Sequence, residues 1–165
     1  MRNSLLMALM AALALAAGAS AQPYPNRPVR FIVPFPAGGA TDIISRSIGS
    51  KVGTALGQQF VIDNRAGGGQ KIGTELVARA APDGYTILLV SITHGINPGL
   101  YAKMPYDTIK DFSPITIAAK SPLVVVVHPS VPAKSVKELI ALMKAQPGKL
   151  NTATSGIGSG GHLAA

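Results

Sequence analysis

The sequence has no cysteine and no tryptophan, and it has few acidic residues. Without cysteine the chain can form no disulfide, and it has no thiol for lipid attachment behind an export signal. Asp and Glu number 7 against 15 Lys and Arg, which gives a formal net charge of +8. The basic residues are scattered and have no interleaved aromatics that would stack on bases, so we expect no nucleic-acid binding. The charge favours anionic solutes in general, through long-range steering.

Residues suited to catalysis or metal binding are also scarce. The three histidines, His94, His128 and His162, are far apart and lack metal-ligand spacing. Neither Ser155 nor Ser159 has the Gly-x-Ser-x-Gly setting of a hydrolase nucleophile, and no pair of carboxylates stands out. We therefore predict a protein that is not an enzyme, with no metal site and no cofactor.

Residues 1–21 have the composition of an export signal. Met1-Arg-Asn is a short basic start, residues 4–18 are an apolar run dominated by Leu and Ala, and Ala19-Ser-Ala21 fits a small-residue cleavage site. The apolar run is shorter than the roughly 20 residues that span a bilayer, so we favour a cleaved signal over a membrane anchor. We predict cleavage after Ala21 and export of a soluble protein.

Strand and helix patterns alternate after this leader. Residues 29–33 and 85–90 are nearly continuous apolar runs, as expected for strands covered on both faces, and residues 59–63 have the pattern of another strand. Apolar positions at helical spacing predict helices over 43–56 and 72–81, and a glycine follows the first of them. This order predicts an α/β fold with a parallel or mixed sheet.

The next part of the chain is less regular. Residues 93–112, which include two prolines, predict a long irregular connection. Two strands are expected at 115–119 and 123–128, and another at 150–154. Ser135-Val-Lys-Glu138 is a capping-box pattern, which predicts a helix that begins there and runs through Met143.

The sequence ends on the pattern of an incomplete helix. Gly161-His-Leu-Ala-Ala165 has no amphipathic body, no cap and no exit. We therefore predict the front half of a two-domain protein. The first α/β domain is expected over 22–120, behind the leader at 1–21, and the start of the second over 121–165.

Two glycine-rich turns each join a predicted strand to a predicted helix. One is Pro36-Ala-Gly-Gly39, which precedes Ala40-Thr-Asp42, and the other is Ser155-Gly-Ile-Gly-Ser-Gly-Gly161. Such turns present backbone N–H groups at the positive end of a helix, where proteins hold anions. Two of them predict a cleft for a carboxylate or similar anion. The alternative for the first turn is a purely structural bend, with Asp42 well placed near a helix N-terminus.

The second turn also satisfies the Gly-x-Gly-x-x-Gly pattern over Gly156–Gly161. Dinucleotide-binding proteins use this pattern, with an acidic residue about 20 positions further on. That position lies beyond the last residue, so a fragment of a nucleotide- or phosphate-binding enzyme stays open as an alternative function. The first turn lacks the lysine and hydroxyl of a nucleoside-triphosphate loop.

Polar side chains follow the third predicted strand. Ser91, Thr93, His94 and Asn97 lie where open α/β sheets bind ligands. Their polar groups would either hydrogen-bond a solute or cap a short helix, and we favour a pocket role for Thr93. A third glycine cluster, Arg65–Gly73, is expected to form a flexible rim loop.

Ordered segments along the chain carry a resemblance to a known family. They are Tyr24-Pro-Asn-Arg-Pro-Val-Arg-Phe-Ile-Val-Pro-Phe-Pro-Ala-Gly-Gly-Ala-Thr-Asp42, Asn64-Arg65, Ala81-Pro-Asp-Gly-Tyr-Thr86, Asn97-Pro98, Pro105-Tyr-Asp107, Lys110-Asp-Phe112 and Lys149-Leu-Asn151. Together they resemble the Bug-type extracytoplasmic solute receptors, the binding components of tripartite tricarboxylate transporters. The resemblance implies a periplasmic, non-enzymatic receptor with the two-domain α/β fold of the periplasmic binding proteins, type II-like, that closes around a small organic acid.

The resemblance also implies a ligand site and partners. A ligand carboxylate would be held, partly through ordered water, by the two glycine turns, with Asp42, Thr93 and His162 as support or contact residues. The implied ligand-binding set is Phe35, Ala37, Gly38, Gly39, Asp42, Thr93, Ser155, Gly156, Gly158, Ser159 and His162. We expect a monomer whose partners are the inner-membrane subunits of the transporter.

The sequence departs from the family pattern in two respects. The family usually continues for roughly another domain's worth of residues. In the third glycine cluster, Ala66 stands where proline is usual, and Gln70-Lys71 replace a glycine and a small polar residue. The conformation of this loop therefore does not follow from the resemblance.

Overall fold

The computed structural model describes residues 23–154, 156 and 159–164. The predicted leader, its cleavage site, Ser155 and Gly158 lie outside the described residues. Within the described part, no helix has the length and apolar character needed to cross a membrane.

A sheet of three parallel strands forms the centre of the fold. Its strands are β1 (Val29–Val33), β2 (Phe60–Asn64) and β3 (Thr86–Leu88), in the order β2-β1-β3. β1 lies between the other two strands. In its pairing with β2, Val29 lies opposite Phe60 and Val33 lies opposite Asn64. The prediction of an α/β fold with a parallel or mixed sheet is therefore confirmed, and the described strands are all parallel.

The central strand supplies most of the core. Val29, Ile32 and Val33 have no exposed surface, and Phe31 is 4% exposed. A parallel strand that is covered on both faces reads as a continuous apolar run, and β1 does so apart from Arg30. The burial of apolar side chains on β1, which lies between β2 and β3, therefore provides most of the hydrophobic stabilisation of the sheet.

Two helices cover the sheet. They are α1 (Ala40–Leu56) and α2 (Lys71–Ala78), and a short 3₁₀ turn at Gly68–Gln70 leads into α2. α1 approaches the sheet closely at Gly49, where an added Cβ would lie 3.2 Å from Ile62 Cδ1. The predicted stop at Gly57 is confirmed, because Gly57 has a left-handed φ of 69° and closes the helix through its N–H.

The remaining helices are α3 (Thr93–Leu100), α4 (Val136–Ala145) and α5 (Gly160–Ala164). The expectation of an irregular connection over 93–112 was wrong at its start, because α3 forms there despite Pro98. Thr93 and Asn97 are one turn apart and both buried, so packing on this face overrides the weak sequence signal. The predicted cap of α4 is confirmed, since Ser135 Oγ accepts from the N–H of Glu138 at 3.2 Å.

Three predicted strands are not strands in the described structure. Residues 115–119, 123–128 and 150–154 have no ladder partner among the described residues, and all of them except the half-buried Leu150 lie exposed. A strand depends on a neighbour that pairs with its N–H and C=O groups, and no described segment lies beside these residues in that way. Apolar composition alone therefore did not produce a strand.

Candidate functional site

The carboxyl ends of the three strands meet at one edge of the sheet. Hydrogen bonds join the segments that leave them: Asn64 Nδ2 donates to Phe35 O at 3.1 Å, and Gln70 Nε2 donates to Ser91 Oγ at 3.1 Å. These bonds connect the loop after β1 with the end of β2, and the turn before α2 with the segment after β3. The edge is therefore one connected surface built from three loops.

The first glycine turn runs from β1 into α1. Gly38 has a φ of 84°, and an added Cβ there would meet nothing within 4 Å, so its backbone conformation is what requires glycine. Gly39 is the N-cap of α1, in an extended conformation, and it makes no side-chain cap. Residues 36–40 are exposed and Phe35 is half-buried. The first turn of α1 thus offers uncapped N–H groups to solvent.

Asp42 lies in that first turn and is buried, at 3% exposed. Its Oδ2 accepts hydrogen bonds from Arg46 Nε and from the N–H of Gly38, each at 2.9 Å. The hydrogen bond from Arg46 and, to a lesser extent, the one from Gly38 lower the pKa of Asp42 to about 2. Burial of the carboxylate acts in the opposite direction and raises the pKa. Asp42 is therefore an anion at neutral pH, and the Gly38 N–H is already used by it.

Arg46 offsets the charge of Asp42 and extends the network. Its second nitrogen donates to Asn64 Oδ1 at 3.2 Å, which connects α1 to the end of β2. Sequence reasoning did not single out Arg46. The i,i+4 spacing from Asp42 was the available signal.

Thr93 lies in a polar cluster after β3. Ser91 Oγ is 3.1 Å from Thr93 Oγ1 and 3.3 Å from its N–H. Thr93 and Asn97 are 2% and 1% exposed, and Asn97 Nδ2 donates to Gly69 O at 2.9 Å. The structure therefore brings Thr93 to the same edge as the first turn, but inside the protein. The sequence did not predict that the Gln70 side chain joins this cluster through its hydrogen bond to Ser91.

The second glycine turn ends in a helix cap. Ser159 Oγ accepts from the N–H of His162 at 3.1 Å, so the described hydroxyl contact of Ser159 is with α5. Gly156 has a φ of 118°. An added Cβ at Gly160 would lie 3.3 Å from Ile92 Cγ2, so this turn adjoins the segment after β3. The described part of the second turn therefore lies beside the segment that follows β3.

The other polar candidates belong to different surroundings. The His94 ring stacks on Tyr106 with centroids 6.0 Å apart and meets Phe112 edge-on at 5.1 Å. Its Nε2 is 3.1 Å from Thr108 O, so His94 has a structural role in an aromatic cluster.

Among the described residues no group of three or more His, Asp or Glu is arranged to hold a metal ion.

The fold is an open α/β sheet whose loops gather at the carboxyl ends of its parallel strands, which is where proteins of this class bind ligands. The chain belongs to the tripartite tricarboxylate transporter family receptors (TctC), whose family profile matches residues 44–165. The family resemblance predicted from the sequence is thereby confirmed.

Three relatives illustrate this membership. The protein BugT of Bordetella pertussis is 42% identical over 151 residues, which are 90% of this chain and 46% of BugT. An R. palustris protein solved with adipate has a TM-score of 0.76 at 37% identity, over 82% of this chain and 46% of that one. MatC from Rhodopseudomonas palustris, solved with bound malate, has a TM-score of 0.74 at 34% identity, over 82% and 47% of the two chains. The chain therefore spans about half the length of these relatives.

Proposed function

We propose that this chain is part of a periplasmic receptor that binds a small organic acid by its carboxylate and delivers it to a tripartite transporter in the inner membrane. The observation that carries the proposal is the uncapped N-terminus of α1 at the carboxyl edge of the sheet. Membership of the receptor family and two similar structures, with adipate and with malate, support it. Both of those acids are dicarboxylates.

The proposed contacts use the backbone N–H groups that the first glycine turn leaves available to a ligand. The N–H groups of Ala37 and Gly39, beside Phe35, would donate to one ligand carboxylate at the positive end of α1. Asp42 and Gly38 would support the turn without contacting the ligand, since the N–H of Gly38 donates to the carboxylate of Asp42. A second anion next to Asp42 is tolerable because Arg46 pairs with the first.

The second glycine turn would form the opposite wall. Ser155, Gly156 and Gly158 would face the carboxylate from that side, while Ser159 and His162 would hold the turn at the start of α5. Closure of the two walls would bury the ligand and form the surface that the membrane subunits recognise. In this proposal the leader is removed after Ala21, the receptor is a monomer without cofactor, and no reaction is catalysed.

A ligand screen tests the proposal. The protein made from its intact gene is heated with adipate, malate, succinate or citrate, and separately with NAD or ATP. A ligand at about a hundred times its dissociation constant adds about 2.7 kcal/mol of stability, so we expect a clear rise in Tm with one or more carboxylates. Shifts with the nucleotides alone would favour the alternative of a nucleotide-binding enzyme and reject the receptor.

A matched pair of variants locates the site within that screen. Gly39→Pro removes one of the N–H donors that we assign to the ligand, and it should abolish the shift. Arg79→Gln removes a positive charge at the far end of α2, where Arg79 pairs with Glu75 on the surface, and it should leave the shift unchanged. A shift that is lost in Arg79→Gln but kept in Gly39→Pro would mean that net charge, and not the turn, governs binding.

A further inference from the structure

Gln70 is strained, and its side chain is buried. Its φ of 73° makes it the one non-glycine residue with positive φ in the described part of the chain. It is 8% exposed, and its backbone oxygen accepts from the buried hydroxyl of Thr74 at 2.8 Å. A side chain in this conformation costs free energy that glycine does not. Strain of this kind concentrates at ligand sites, where the surroundings hold it in place.

The bonds around Ser91 fix the direction of its hydroxyl group. Ser91 Oγ accepts from Gln70 Nε2 at 3.1 Å and from the N–H of Thr93 at 3.3 Å. A serine hydroxyl has two lone pairs and one hydrogen. Since both lone pairs are used, the hydrogen of Ser91 is donated to Thr93 Oγ1, 3.1 Å away.

Thr93 is left with a hydrogen to donate. Among the described residues, the hydrogen-bond partner of Thr93 Oγ1 is Ser91, and Ser91 is the donor in that bond. Thr93 is 2% exposed, so bulk solvent is not its acceptor. A buried donor without an acceptor is costly. A carboxylate oxygen, or a water that a carboxylate holds, would satisfy it.

We propose that Gln70 is a positioning residue of the carboxylate site, which acts through Ser91 to direct the hydroxyl hydrogen of Thr93 at the ligand. The inference rests on the proposed function, because a carboxylate only accepts hydrogen bonds. Without the Gln70 amide, one lone pair of Ser91 is free, and the Ser91 and Thr93 hydroxyls can reverse their roles. The hydrogen of Thr93 then turns away from the ligand.

The experiment is a double-mutant cycle with the protein made from its intact gene. Gln70→Gly removes the amide and suits the left-handed backbone, so this variant should fold. Thr93→Val removes the hydroxyl at nearly constant shape. Dissociation constants for adipate and malate are measured by calorimetry for the wild type, both single variants and the pair, and circular dichroism and Tm confirm the fold of each.

We expect Thr93→Val to raise Kd about tenfold or more, as for loss of a hydrogen bond to a charged group. Gln70→Gly should raise Kd about threefold to tenfold in the wild type and less than about twofold in the Thr93→Val background. Ser91→Ala interrupts the same chain of bonds and should behave like Gln70→Gly. Thr93→Ser keeps the hydroxyl and should restore most of the affinity.

Two results would overturn the inference alone. One is a wild type that binds a carboxylate with a Kd that none of these variants changes. The other is a Gln70→Gly effect of equal size in both backgrounds, which would mean that Gln70 acts by a route other than Thr93. A folded wild type that binds neither adipate, malate, succinate nor citrate would overturn the proposed function, and this inference with it.

Discussion

Asp42 is held as an anion by a guanidinium and a backbone N–H. Its Oδ2 accepts from both, and its pKa falls from 3.8 to about 2. The two bonds connect the glycine turn to the body of α1, so the charge of one side chain supports the shape of the loop. Neutralising that side chain should therefore loosen the turn before it affects the sheet.

The pH dependence of stability follows from this shift. A carboxyl group whose pKa is lowered by folding stabilises the fold above its unfolded pKa, and this contribution is lost as pH falls through the folded pKa. Wild type should therefore be more stable than Asp42→Asn at pH 6, and the difference should shrink between about pH 4 and about pH 2. Urea unfolding at several pH values measures it. A difference that stays constant over this range would show that the charge of Asp42 is not responsible.

Gly38 allows a test of backbone strain without a steric contribution. Gly38→Ala places a Cβ in open space at a φ of 84°, so its cost, about 1 kcal/mol or somewhat more, comes from the backbone alone. Gly95→Ala is the control, because Gly95 lies in α3 and also has nothing within 4 Å. That change should stabilise by up to about 1 kcal/mol through helix propensity. Chemical denaturation of both variants gives the comparison, and equal effects would contradict the strain argument.

The helix α4 depends strongly on its own sequence. None of its residues is buried, so packing contributes little to it. Its cap is reciprocal: Ser135 Oγ accepts from Glu138 N–H, and Glu138 Oε2 accepts from Lys134 N–H at 2.7 Å. A helix that has no fully buried residue relies on such local bonds.

Removing this cap should open α4 locally. Ser135→Ala should destabilise the helix by about 1 kcal/mol and speed hydrogen exchange at Glu138, whereas Ser135→Thr should keep most of the protection. Ser50→Ala changes an exposed serine within α1 and serves as the control. If Ser135→Ala leaves the exchange rate at Glu138 unchanged, the cap does not support the helix.

The sequence predicted those elements whose signals are local. The spacing of apolar residues and Gly57 gave α1 and its end, and Ser135 with Glu138 gave the start of α4. The valines of 123–128 have high strand propensity, but a strand also needs a partner that no local pattern specifies. In the site, the turn at Gly38 was predictable from composition. The burial of Gln70 was not, because it depends on Ser91, 21 positions away in the chain.

Exposed apolar surface is distributed unevenly over the described part of the protein. The core lies around β1, whereas Leu123, Val124 and Val126 are 65%, 76% and 83% exposed. Contiguous exposed apolar residues of this kind bind hydrophobic dyes and promote association. The chain of 165 residues should therefore show apolar surface in one segment and a well-packed sheet in another.

A pair of charged substitutions tests this division. Val124→Lys with Val126→Lys should lower the fluorescence of a bound hydrophobic dye and reduce self-association in light scattering. Because both valines lie outside the core, the Tm of the sheet should change little. Val29→Lys and Ile32→Lys, both in the core, should instead abolish cooperative unfolding. Dye binding that persists after the exposed substitutions would place the apolar surface elsewhere.

The order of the strands has a consequence that does not depend on any side chain. From β1 the chain crosses to β2 at one edge and then returns past β1 to β3 at the other. Right-handed crossovers in opposite directions place their helices on opposite faces of the sheet. The loops beyond β1 and β3 diverge at such a reversal and leave a crevice between them. Side chains such as Gln70 can therefore be substituted without moving the crevice, because the path of the backbone sets its position.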